Sequence, residues 1–453
     1  MIAPQKVIDD VLAAATVDET IVIVTDRAQA SLRWANSSMT TNGVSTGRSV
    51  SVISIVWDGS TGHVGSVQTS EVDPTVLSDV VAASEAAARA APEARDSAPL
   101  IADSGVPDDW DDAVADTGAE VFGGLAASLS RGFTSADVLY GYARHEVATT
   151  FLASSTGVRR RFTQPTGSLE INAKRDGASA WVGIGTPDFA NVPADQLLSD
   201  LSTRLGWSRR TVSLPAGRYP TVMPPSTVAD MMIYMAWMMD GRGAQECRTA
   251  FSASGGGTRV GERLTQLPVT LYTDPSTQPL QCRPFVAASS SSETVSVFDN
   301  GMDIGRVDWI NDGVINALAY PRAAAAEFGA PVAVPADNLV MTGGEATLDE
   351  IIARTERALL LTTLWYIRTV DPTMLLLTGL TRDGVYLVED GKVAAAVNNF
   401  RFNESPLDLL PRAIEVGATE VTLPREWGDW ATRAAMPPLV IPDFHMSSVS
   451  QAQ

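Results

Sequence analysis

The chain has 453 residues, enough for two to three domains at roughly 150 residues each, so a sizeable core can form without disulfide or metal staples. Its 33 basic and 53 acidic residues give a net charge of -20, which argues against duplex nucleic acid or an anionic membrane as the main partner. With 45% apolar and 19% charged residues the chain is globular, and two cysteines (Cys247, Cys282) with three histidines (His63, His145, His445) are too few and too scattered for a disulfide framework or a Cys/His zinc cluster.

Gln5 to Ala15 carries apolar residues at helical spacing, and the period then changes to two at Thr20–Thr25, Ala30–Trp34, Val50–Val56 and His63–Val67. This predicts a helix followed by a strand meander, with turns at Asn42-Gly43 and Asp58-Gly59, where positive φ is needed. Asp73-Pro74 opens an alanine-rich helix to about Ala91, with Asp73 as N-cap. Residues 71–120 hold 13 acids against Arg89 and Arg95; the cluster Asp108, Asp109, Asp111 and Asp112 lacks the alternating acids and closing Glu of a calcium loop, so it reads as a solvated surface. Residues 121–220 turn basic, and Arg159, Arg160 and Arg161 suit a strand edge.

Glu146–Ser154, Arg159–Phe162, Gly167–Ala173 and Ala178–Gly183 read as further strands, followed by a helix from about Pro193 to Leu205. Leu214–Pro220 is a linker by composition and places the main boundary. Beyond it come a strand (Thr221–Met223), a very apolar helix (Ser226–Met239), a Ser/Gly loop (Ser252–Gly257), a long helix at Leu348–Ile367, and a meander over Met374–Phe402 with turns at Asp383-Gly384 and Asp390-Gly391. The expected fold class is α+β, two domains with mixed and antiparallel sheets: an N-terminal α/β-meander domain (1–210) and a C-terminal β-rich domain (211–453). The start MIAPQKVIDDV has no signal-peptide pattern, and the run Met231 to Met239 is about half of a membrane span, so a soluble cytoplasmic protein is expected.

Three local patterns carry no site. Gly43-Val-Ser45-Thr-Gly47 matches G-x-S-x-G, but a strand follows where a nucleophile elbow needs a helix. His145-Glu146 begins like a zinc-binding H-E-x-x-H helix, yet Thr149 or Thr150 stands where the second histidine belongs. The Ser252–Gly257 loop lacks the Gly-Lys-Ser/Thr ending that grips phosphate. Met231, Met232, Met235, Met238 and Met239 form a helical stripe that reads as core.

Thr381-Arg-Asp-Gly-Val-Tyr-Leu-Val-Glu-Asp-Gly-Lys-Val followed by Val397-Asn-Asn-Phe-Arg-Phe-Asn-Glu-Ser405 resembles the C-terminal signature of the TldD/PmbA family. Leu214-Pro-Ala-Gly-Arg-Tyr, Arg248-Thr-Ala-Phe, Asp312-Gly-Val-Ile-Asn, Gly343-Gly-Glu-Ala-Thr-Leu-Asp-Glu-Ile and Met436-Pro-Pro-Leu-Val-Ile-Pro-Asp-Phe agree in order, so the resemblance covers roughly 210–453. In that family the zinc-bearing subunit is a metalloprotease with an H-E-x-x-x-H helix and a C-terminal cysteine. Here the matching helix, Val228-Ala-Asp-Met-Met-Ile-Tyr-Met-Ala-Trp-Met-Met239, has no histidine or glutamate, and no cysteine follows Cys282.

The resemblance therefore implies the PmbA (TldE) branch. Such a chain has no catalytic residue or cofactor of its own, pairs with a zinc-carrying TldD-like subunit as a heterodimer, or with itself, and helps hold an unfolded or leader peptide as an added strand. No nucleic acid or membrane partner is expected. The segment Asn398, Asn399, Phe400, Arg401 and Phe402 is the candidate groove or interface element; the competing reading is a core-facing strand. A stand-alone peptidase or amide hydrolase using Cys247 with a distant His, or a regulatory homodimer, are the alternatives.

Overall fold

The computed structural model describes residues 2–102, 105–382 and 384–451. The chain opens with α1 (Pro4–Ala14), β1 (Glu19–Ala35), β2 (Ser38–Asp58), β3 (Thr61–Thr69), α2 (Pro74–Ala90) and α3 (Gly123–Gly132). It continues with β4 (Val138–Ser154), β5 (Arg159–Arg175), β6 (Ala178–Thr186) and α4 (Ala194–Trp207). The six strands form one antiparallel sheet in the order β3-β2-β1-β4-β5-β6.

Sequence periodicity divides β1 and β5 into shorter pieces because polar residues interrupt their apolar runs. In β1 the interruption is matched across the ladder: Asp26 lies opposite Arg48, and the two buried side chains form a two-pronged ion pair in which Arg48 Nη2 donates to Asp26 Oδ2 at 2.5 Å. The β1–β2 turn is also displaced from Asn42-Gly43. Asn36 and Ser37, with φ of 50° and 55°, reverse the chain, whereas Asn42 and Gly43 pair within the ladder with Leu32 and Ser31. Gly59 and the Asp390-Gly391 pair do take positive φ at their turns, while Asp383 lies outside the described residues. Asp73 caps α2 by accepting from Thr75 N at 2.9 Å. The arginine-rich stretch 159–166 pairs with β4 alone, since β6 joins only from Gly167; Arg161 there reaches Asp109 of the acidic cluster at 2.7 Å.

Half of this sheet is covered on both faces. Val22, Val24, Val50 and Val52 pack against Val7, Ile8 and Val11 of α1 and Leu77 and Val81 of α2. Alternate residues Ile21, Ile23, Ile53 and Ile55 pack against Phe285, Val297 and Phe298 from the C-terminal half. The continuous run Ile-Val-Ile-Val thus reflects burial on two sides rather than simple alternation. Farther along the strands, Leu32, Leu139, Leu169 and Ile171 point to α3 and α4, and the opposite face is polar.

The remaining strands form two sheets. In the six-stranded one the order is Val314–Ile315, Val307–Asn311, Thr270–Thr273, Leu339–Thr342, Ala434–Met436, Glu420–Thr422. The ten-stranded one contains β7 (Thr211–Val212), β8 (Gly217–Met223) and the family-like stretch from Leu376 to Glu404, and α5 (Pro225–Trp237) packs into the core between the sheets. Two expectations are corrected here. Gly217–Pro220 is strand rather than linker: it pairs with Leu439–Val449, and the second neighbour, Arg357–Leu361, joins only at Thr221 and Val222, past the proline that has no N–H to donate. Leu348–Ile367 is not one helix. Thr347 and Glu350 form a capping box on a short helix, Leu348–Ala353, and Arg357–Leu361 and Trp365–Asp371 are strands. The all-apolar Ala358–Leu361 is buried in mid-sheet, where helix and strand have the same apolar signature.

The close approach of α2 to β3 gives a test. A Cβ on Gly65 would lie 2.1 Å from Ser84 O and 2.3 Å from Ala88 N, whereas one on Gly43 meets nothing within 4 Å. Gly65→Ala is expected to lower the unfolding free energy by about 1–3 kcal/mol, and Gly43→Ala to change it by less than about 0.5 kcal/mol. Urea unfolding of both variants checks this, and a large loss at Gly43 would mean that it does occupy a left-handed turn.

Candidate functional site

Helix α5 starts at Pro225, where a missing N–H costs nothing, and is apolar around most of its circumference. Val228, Ala229, Met231, Met232 and Met235 are completely buried, as the methionine stripe predicts. Asp230 is the exception in kind: its carboxylate is completely buried in this apolar setting. Its Oδ1 accepts from Glu426 N at 2.9 Å, its backbone carbonyl accepts from Trp427 Nε1 at 2.8 Å, and Oδ2 has no hydrogen-bond partner among the described residues. Burial pushes the Asp230 carboxyl well above the usual carboxylate range, only partly opposed by the Glu426 N–H, and the Glu426 charge pushes it further. Glu426 in turn accepts from Tyr366 N at 2.7 Å, Ile367 N at 3.0 Å and Arg368 Nη1 at 3.1 Å. Asp230 and Glu426 thereby tie α5 to the loop after Leu423 and to the edge strand Trp365–Asp371.

Around that loop aromatic rings converge. Trp427 lies 5.5 Å from Tyr234, 5.2 Å from Trp237 and 6.4 Å from Trp430, ring centre to ring centre. Trp237 and Trp430 remain 43% and 68% exposed, so the cluster opens to solvent. Beside it are two adjoining recesses that share Pro335, Asp337, Trp430 and Arg433. The smaller, about 150 Å³, runs along the end of α5 between Ile233, Trp237, Trp309 and Leu339. The larger, about 340 Å³, lies between the polar face of the first sheet and the C-terminal half. Arg433 Nη1 donates to Thr166 Oγ1 at 2.6 Å, and Gln164 Nε2 to Gln281 O at 3.0 Å, so polar contacts join its two walls.

The segment Asn398–Phe402 is elsewhere. Phe400 and Phe402 are completely buried in the core of the ten-stranded sheet, and their strand, Phe400–Glu404, is paired on both sides. Asn398 Oδ1 accepts from Leu214 N at 2.7 Å, Arg401 is exposed, and Asn398 and Asn399 line a surface hollow with Ser179 and Tyr386. These five residues therefore face different surroundings. The residues that do gather at the recesses, Trp430, Arg283 and Arg433 among them, are scattered in sequence, and Asp230, which anchors the loop that carries Trp430, lines neither recess. One signal was present: Asp230 is the single charged residue between Pro224 and Asp240.

Metal chemistry can be tested against the donors. Among the described residues no three His, Cys, Asp or Glu side chains gather in a metal-binding group. His145 Nδ1 meets Thr117 Oγ1 at 2.7 Å and Nε2 meets Pro187 O at 3.0 Å, and burial pushes the Cys282 thiol up to about 11, so it stays protonated. Catalytic zinc takes three protein donors from His, Cys, Asp or Glu, and α5, with one buried carboxyl and methionines, does not fit that set. Cys247 is exposed with φ 59°, and no hydrogen bond joins it to a histidine among the described residues.

Because the folded Asp230 carboxyl titrates above its unfolded value, its stabilising protonated form is fully present below the usual carboxylate range and is lost as pH rises through the folded value. Asp230→Asn keeps the acceptor for Glu426 N and cannot ionise. Thermal unfolding across a pH series is expected to show the variant gaining on the parent chain as pH rises. A difference that is independent of pH would contradict the raised carboxyl.

Residues 216–448 match the family described as PmbA/TldA metallopeptidase C-terminal domain. Among solved structures, TldE from Thermococcus kodakarensis superposes with a TM-score of 0.77 at 15% identity, covering 97% of this chain and 99% of that one. A Bacteroides thetaiotaomicron protein described provisionally as a modulator of DNA gyrase gives 0.77 at 14% identity, covering 99% and 100%. A Thermotoga maritima protein with the same kind of description gives 0.74 at 14%, covering 98% and 100%. No curated protein matches the sequence. The structural likenesses run the whole length of the chain and share its fold, and the sequence match extends over just more than half of it: the chain belongs to the TldD/PmbA family.

Proposed function

We propose that this chain is the subunit without a zinc site in a TldD/TldE-type metallopeptidase complex, in which it supplies scaffold and part of the peptide groove. The observation that carries the reading is the composition of α5: at the helix where the family resemblance places zinc ligands, this chain has Asp230, held by Glu426 N, and a buried methionine stripe. A metallopeptidase needs an open metal position and a base beside it to activate water. In the proposed pair both come from a zinc-carrying homologue, and the recesses along α5 contribute to holding an unfolded or leader peptide in the cytoplasm. No helix among the described residues is long and apolar enough to cross a membrane, in keeping with this setting.

The test is reconstitution. The chain purified alone is expected to hold no stoichiometric zinc and to leave unfolded peptide intact. Mixed with an H-E-x-x-x-H homologue it is expected to co-elute and to yield chelator-sensitive cleavage with one zinc per pair. Stoichiometric zinc and chelator-sensitive cleavage by the chain alone would overturn the proposal.

A further inference from the structure

The larger recess is lined by four guanidinium groups, those of Arg27, Arg144, Arg283 and Arg433, and by four carboxylates, those of Glu146, Glu170, Asp337 and Asp429, which are unevenly distributed among them. Glu146 is shared by Arg27 and Arg144, and Asp337 is paired with Arg433. Arg283 has no carboxylate within 4.0 Å among the described residues; its Nε donates to Phe285 O at 3.2 Å and its Nη2 to Ala287 O at 3.4 Å. Burial, together with the charges of Arg433 and Arg27, depresses its basicity, while Asp337 opposes this. Desolvated cations without a counter-ion are costly, and a bound anion removes that cost. Two further buried atoms that line this recess, Arg144 Nε and Gln164 Oε1, lack partners among the described residues. Two carboxylates that also line the recess, Glu170 and Asp429, do not pair with Arg283; Glu170 accepts from Trp181 Nε1 at 2.9 Å and is pushed up by burial.

The adjoining smaller recess has the opposite character. It is walled by Ile233, Trp237, Trp309 and Leu339, and Trp309 Nε1 is buried without an acceptor among the described residues. A space of about 150 Å³ holds one benzene-sized group. The two recesses meet at Asp337, Trp430 and Arg433, so one ligand can put an anionic group into the first and an apolar group into the second.

We infer that these joined recesses bind the C-terminal residue of a peptide, its carboxylate beside Arg283 and a large apolar or aromatic side chain between Trp237 and Trp309. A chain terminus carries carboxylate and side chain on one Cα, which matches two recesses that share a wall. The inference deepens the peptide-binding reading above and rests on it, but it concerns this chain alone. Arg283 acts as a binding residue for the terminus, and Trp237 and Trp309 wall the recess for its side chain.

Intrinsic tryptophan fluorescence of the full chain, without partner, reads binding of Gly-Gly-Phe. The free acid is expected to bind at least about tenfold tighter than its C-terminal amide, a difference of about 1.4 kcal/mol. Arg283→Gln is expected to bring the acid down to the level of the amide with unchanged thermal unfolding, and Arg283→Lys to restore part of the gap. Gly-Gly-Ala is expected to bind more weakly than Gly-Gly-Phe. Equal binding of acid and amide, or a gap that survives Arg283→Gln, overturns the inference, as does an amidated peptide whose internal aspartate restores full affinity. If reconstituted complex cleaves peptide but the chain alone binds neither form, this inference fails while the subunit proposal stands. If the chain binds as expected but assembles with no zinc-carrying homologue, the reverse holds.

Discussion

The two-sided burial of β1 and β2 is the constraint on which the rest of the molecule depends. One set of alternating side chains, Val22, Val24, Val50 and Val52, packs on α1 and α2, and the other, Ile21, Ile23, Ile53 and Ile55, packs on Phe285, Val297 and Phe298. Burial of apolar area is worth roughly 25 cal/mol per Å², so a face of isoleucines and phenylalanines holds the first sheet firmly against the C-terminal half. The neighbouring strands β4 and β5, with Thr25 and Arg27 of β1, present polar residues across from Asp337 and Arg433. The larger recess lies beside this clamped part of the sheet, where the facing side chains are polar and partly paired, Glu146 with Arg27 and Arg144, and Asp337 with Arg433.

The chemistry of α5 follows from its place in the other core. A helix surrounded by Phe251, Leu361 and Phe402 favours methionines and alanines, and a charged residue persists there only if neighbouring backbone satisfies it. Asp230 meets that condition in part through Glu426 N, while its burial still pushes the carboxyl up. The loop so anchored carries Trp427 and Trp430, of which Trp430 lines the smaller recess. A structural carboxyl therefore positions the aromatic wall of the cavity without touching its contents.

Much of this was legible in the residues. The Asp73-Pro74 start of α2, the methionine core of α5 and the strands of both halves follow from caps and periodicity. Turn chemistry was harder: Asn42-Gly43 has the stronger hairpin composition, yet Asn36-Ser37 makes the turn because the β1–β2 ladder runs past residue 42. Leu348–Ile367 misleads for a different reason, since a buried mid-sheet strand has lost the alternation that distinguishes it from a helix. Family-like residues 398–402 advertise themselves by pattern, but two of them, Phe400 and Phe402, are core. The recess residues Arg283, Asp337 and Arg433 converge only through tertiary structure, so no spacing in the sequence announces them.

In the proposed assembly the catalytic metal belongs to a different polypeptide. Anomalous diffraction at the zinc edge from crystals of the reconstituted pair tests it directly. The account predicts one zinc peak per pair, bound by the homologue's histidines, with no peak within bonding distance of any α5 side chain. A zinc peak coordinated by residues of this chain would contradict it.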